Sequence, residues 1–124
     1  MAVTTFTIEP PTLKWVISMD VVRVDVNSLE QVTFSVFADT AGTVYNPTVA
    51  TASAAFIPSS AKPASGDWKT CTWDTSLIGT YRAACLIGTG GAVALPAGEY
   101  YAWLRLVDPG GETVIRQVGQ LIVQ

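Results

Sequence analysis

The chain has 124 residues, the size of one domain with a single core. Only 14% of them are charged and 49% are hydrophobic, which excludes a disordered chain, since ordinary domains are roughly a quarter charged. The net charge is −3, the isoelectric point is near 4.6, and the seven basic residues are scattered from Lys14 to Arg116, which excludes a strong electrostatic mode of nucleic-acid binding.

The first 12 residues, "MAVTTFTIEPPT", read as an extended N-terminal arm. Val3, Phe6 and Ile8 are interleaved with threonines, enough to form one strand or fill one groove on a neighbour, and Pro10 and Pro11 stiffen the junction between the arm and the rest of the chain. The arm has no basic stretch leading into a continuous apolar run, so it is not a secretory signal, and the chain is expected to stay in the cytoplasm of the cell that makes it. The chain contains no run of about 18 apolar residues, so no membrane span is expected.

From residue 13 to 124 the dominant pattern is period two, the mark of half-buried strands. "DVVRVDV" sets Val22, Val24 and Val26 against Arg23 and Asp25, and "QVTFSVF" sets Val32, Phe34 and Val36 against Thr33 and Ser35. "NPTVATASAAFI" alternates weakly but suits a pleated surface. "DWKTCTW", "GTYRAACLI", "EYYAWLRLV" and "ETVIRQVGQLIV" complete the series. Between them lie turns rich in Gly, Pro and Asp. "DPGG", Asp108 to Gly111, predicts a hairpin closed by a type II turn or by a type I turn with a bulge. No stretch carries a helical stripe. The spacing predicts an all-β antiparallel sandwich of seven to eight strands. "LPAGEY", Leu95 to Tyr100, is a tight turn feeding a tyrosine into a strand. It resembles the tyrosine corner of immunoglobulin-like sandwiches, whose hydroxyl bonds to the backbone just upstream, so Tyr100 is assigned a structural role.

Catalytic constellations are hard to assemble. With no histidine there is no Ser-His-Asp or Cys-His arrangement. The ten acids are spread singly, and "GTGG" lacks the lysine and helix of a phosphate loop. No cofactor or metal is expected. A hairpin centred near Ser76 sets Cys71 opposite Arg82 and Cys85 opposite Trp68, too far apart for a relaxed disulfide. Two buried thiols are the reading, and a disulfide is the alternative. Of the four tryptophans, Trp103, between Ala102 and Leu104, is assigned to the core, and Trp73 to a sandwich end. Trp15 and Trp68 are the candidates for a glycan or partner platform, with core and edge packing as the alternative.

The last part of the chain resembles the small immunoglobulin-like virion proteins of tailed bacteriophages, especially those of actinobacterial hosts. The residues that carry the resemblance are Trp73-Asp74, "GTYRA" at Gly79 to Ala83, "LPAGEYYAW" at Leu95 to Trp103, and "IRQVGQLIV" at Ile115 to Val123. It implies an immunoglobulin-like fold and a non-enzymatic structural role in the virion without choosing a location; the expected role is a capsid decoration or minor capsid protein that stabilises the head shell. Neck, tail or baseplate accessory roles, or a carbohydrate-binding module, are the alternatives. The partners implied are the major capsid protein or other virion proteins in symmetric multiple copies, self-association, and, for the alternative, a glycan. The resemblance carries over no catalytic residue. The low charge agrees with a subunit whose surface is partly covered by others.

Overall fold

The computed structural model describes residues 14–19, 23–40, 43–59, 61–78, 80–88 and 93–124. Val3, Phe6 and Ile8 of the predicted arm lie outside the described residues. Among the described residues there are ten strands: β1 (Lys14–Met19), β2 (Arg23–Val24), β3 (Glu30–Thr40), β4 (Thr43–Tyr45), β5 (Thr51–Ile57), β6 (Lys69–Thr70), β7 (Thr72–Asp74), β8 (Arg82–Ile87), β9 (Gly98–Val107) and β10 (Thr113–Val123). One sheet has the order β1-β3-β8-β7, with β4 also paired to β3, and the other has the order β2-β10-β9-β5-β6. The protein is an all-β sandwich. Its helical content among the described residues is two single 3-10 turns, Pro47–Val49 and Ser65–Asp67.

Alternation explains the core. Trp15, Phe34, Val36 and Cys85 point inward from the first sheet, and Phe56, Tyr100, Leu104 and Leu121 from the second. The Phe34 and Phe56 rings meet across the gap with centroids 6.2 Å apart. Ala38, Ala54, Ala83 and Ala102 are completely buried among them. These small side chains let the larger ones interdigitate at interior density.

The structure departs from the sequence reading in three respects. The strands number ten because Lys14–Met19 and Thr43–Tyr45 form β1 and β4 outside the predicted runs, and because "DWKTCTW" is divided: β6 pairs with β5 in the second sheet, whereas β7 pairs with β8 in the first. The chain changes sheets at Cys71, a step that period-two alternation does not reveal. The sandwich is also not purely antiparallel, since β2 runs parallel to β10, with Arg23 opposite Ile122 and Val24 opposite Val123. Finally, "DVVRVDV" does not continue as a strand beyond Val24. Asp25 accepts a bond from the Asn27 backbone N–H at 2.8 Å, and the Ser28 N–H donates to the Asp25 carbonyl at 3.0 Å. The Val26 N–H still donates to the Gln124 carbonyl at 2.6 Å, and the local Asx turn then takes over from the ladder.

The "DPGG" turn resolves in favour of the bulged form. The Gly111 N–H donates to the Asp108 carbonyl at 2.9 Å, and the positive φ, 97°, falls on Gly111 and not on Gly110. A type II turn would need it at Gly110.

Gly88 ends β8 with φ 131°, and a Cβ there would sit 2.1 Å from the Ser28 carbonyl oxygen. Both the conformation and the backbone contact demand glycine. Gly88→Ala is expected to cost about 3 kcal/mol or more. Gly66→Ala, where a Cβ meets nothing within 4 Å, is expected to be near neutral. Urea unfolding of the two variants beside the parent chain measures the contrast.

Candidate interaction surface

The polar side chains of this sandwich are used within it. Asp74 accepts bonds from the Ser76 N–H at 3.0 Å and hydroxyl at 2.7 Å, and pairs with Arg82 at 3.1 Å. Those Ser76 bonds, with the Arg82 charge behind them, hold its carboxyl below the usual range. Among the described residues no group of three or more metal-binding side chains occurs.

Three hydrogen bonds fix the margins of the sandwich. The buried Tyr100 hydroxyl donates to the Pro96 carbonyl at 2.6 Å, the bond expected of a tyrosine corner. The Arg116 guanidinium, on β10, donates to the Trp15 carbonyl on β1 at 2.6 Å and closes one open side. Tyr45, on β4, donates its hydroxyl to Asp108 in the β9–β10 turn. That bond, reinforced by burial, raises the Tyr45 pKa.

The tryptophans are arranged differently from the sequence reading. Trp15, a candidate platform residue, is 4% exposed and packs edge-on to Tyr45, centroids 6.0 Å apart. It alternates inward with Ile17 and Met19 and belongs to the core. Trp103, assigned to the core, is half-buried on the outer face of β9, because its neighbours Ala102 and Leu104 take the inner positions. Trp73 lies at a sandwich end, its indole N–H donating to the Ala50 carbonyl at 2.9 Å. Trp68 is half-buried, with the Arg105 guanidinium 4.8 Å above its ring. The β5–β9 register sets Ala55 opposite Trp103, and one step beyond the β5–β6 pairs brings Trp68 to the other side of Ala55. Trp68 and Trp103 thus share one row on the outer face of the second sheet, flanking a small residue.

An exposed apolar feature lies on the outer face of the first sheet. Val16 on β1 and Phe37 on β3 are direct cross-strand partners, 62% and 47% exposed. With Ser18, Ser35 and Tyr81 they line a shallow depression of about 410 Å³. Leu77 and Ile78 project from the β7–β8 turn, Ile78 at 98% exposure. The signal for Phe37 was present in the alternation of "QVTFSVF", which places it on the Thr33 and Ser35 side; Val16 needed the strand at Lys14–Met19 to be recognised.

No protein family, no curated protein and no solved structure matches this chain.

The hydrogen bonds at the margins yield two measurable consequences. Tyr100→Phe is expected to lower stability by about 1 kcal/mol through the loss of one buried hydrogen bond, seen as a lower urea midpoint with an unchanged slope. The second concerns alkaline pH. Tyr45 holds its proton more tightly folded than unfolded, so its contribution is fully present below the ordinary tyrosine value of about 10 and is lost as pH rises through the folded value. Tyr45→Phe should therefore make the fall in stability above about pH 10 shallower than in the parent chain.

Proposed function

We propose that this chain is a non-enzymatic structural protein of a bacteriophage virion, a decoration or minor capsid protein that binds the head shell in multiple symmetric copies. The observation that carries the reading is the uncharged apolar pair Val16 and Phe37, exposed side by side on a flat sheet face. Contiguous apolar surface of this kind marks an interaction site, and depletion of charge is the compositional sign of an interface core. A chain with 14% charged residues and no histidine suits binding by shape better than chemistry on a substrate. The resemblance of residues 73–123 to phage virion proteins supplies the kind of partner, the major capsid protein or a neighbouring virion subunit, and the location, a virion assembled in the host cytoplasm. A neck, tail or baseplate position would use the same face.

The immunoglobulin-like reading is supported by strand order. β1-β3-β8-β7 follows the A-B-E-D sheet of such domains, β10-β9-β5 follows G-F-C, and Tyr100 occupies the corner at the start of the strand equivalent to F.

A second reading, glycan binding, is favoured by the Trp68 and Trp103 row. Two indole rings aligned on one outer sheet face form the kind of platform that stacks on a sugar ring.

The test is co-sedimentation with phage heads that lack this protein. The parent chain should bind, and the Val16→Asp, Phe37→Asp double variant should stay folded and lose at least about 30-fold in affinity, the size of a central interface contact. Trp68→Ala should bind heads normally. Equal sedimentation of the double variant removes this face from the mechanism. Binding of glycans by the parent but not by Trp68→Ala, with no binding to heads, favours the second reading.

A further inference from the structure

Cys71 is the single residue between β6 and β7, where the chain passes from one sheet to the other. Its N–H still donates to the Ala52 carbonyl of the second sheet at 2.9 Å. The β7–β8 register sets Trp73 opposite Ala83 and Thr72 opposite Ala84, and the next step brings Cys71 opposite Cys85. This corrects the offset of three residues expected from a hairpin centred near Ser76: the turn lies two residues further along. Both side chains point into the core, 6% and 1% exposed, and both are free thiols. The two thiols lie close enough to shift each other's titration, Cys71 upward with burial adding to it and Cys85 downward. Directly opposed residues of an antiparallel pair have Cα atoms about 4.5 or 5.5 Å apart, and a disulfide needs about 4.4–6.8 Å.

We propose that Cys71 and Cys85 form a covalent modification site, which a small-molecule disulfide oxidant such as oxidised glutathione converts into an intramolecular cross-strand disulfide. One cysteine thiolate attacks the oxidant, forming a mixed disulfide and releasing one glutathione. The second thiolate attacks the protein sulfur of that mixed disulfide, closes the Cys71–Cys85 bond and releases the second glutathione. The protein loses two electrons and two protons, and the oxidant becomes two thiols.

Access is built into the crossover. β6 has two residues and β7 three, and each is the edge strand of its sheet. Elements this short open locally at low free energy, and lifting them uncovers both sulfurs. Once formed, the bond ties a crossover held by β5 in the second sheet to β8 in the first. The site is set by the β7–β8 register and does not rest on the proposed function.

The folded protein is incubated with oxidised glutathione, alkylated under denaturing conditions and weighed by mass spectrometry. The expected product is a monomer lighter by two hydrogens, with no alkylated cysteine, no glutathione adduct and a proteolytic peptide linking Cys71 to Cys85. Its thermal midpoint should rise by several degrees and return to the parent value on treatment with a phosphine reductant. Cys71→Ala and Cys85→Ala should show no such reversible rise. Should either variant fail to fold, the linked peptide and the reversible midpoint of the parent chain decide the matter. Persistence of two alkylatable thiols, or oxidation only to glutathione adducts or linked dimers, overturns the proposal.

Discussion

Each sheet of this protein can hide only one of its faces, and the inner faces meet in a layer that must be filled at interior density. That constraint governs the rest. It places Trp15, Phe34, Leu104, Leu106 and Leu121 inside, and it requires alanine at positions 38, 54, 83 and 102, where a larger side chain would collide across the gap. It also decides which residues are left outside. Val16 and Phe37 are as apolar as their neighbours, but they stand on the wrong side of the pleat to be buried. The exposed patch is a consequence of which residues hold the even and odd positions of β1 and β3.

Closing the sandwich needs contacts that alternation does not supply. Arg116 reaches from β10 to the Trp15 carbonyl, Tyr45 reaches Asp108, and the tyrosine corner pins the entry to β9. These bonds sit at the margins of the apolar layer, where backbone groups would otherwise lack partners. The crossover at Cys71 serves the same end, because a chain that leaves one sheet for the other fills the open side with its own backbone.

The proposed shell contact and the thiol pair occupy opposite faces of the first sheet. Val16 and Phe37 point out, whereas Cys71 and Cys85 point in. A binding face backed by a dense core loses little conformational entropy on association. A covalent tie behind that face would stiffen it further without altering the surface presented to a partner.

The main strand-forming segments were legible in the residues alone, because period two is a local property and Val32, Phe34 and Val36 declare it. The hydrogen bond of Tyr100 was legible for the same reason, being made four residues upstream within one turn. What the sequence could not decide was every relation between distant segments. The division of "DWKTCTW" between two sheets depends on which neighbours β6 and β7 find. The parallel pairing of β2 with β10 joins residues about as far apart as the described chain allows. Trp15 and Trp103 exchanged their expected places because alternation says which residues share a face but not which face meets the other sheet. The two cysteines became partners because the β7–β8 turn is centred further along the chain than the residues around Ser76 suggest. Local periodicity determined the elements, and long-range pairing, which carries no local signature, determined the surface and the thiol site.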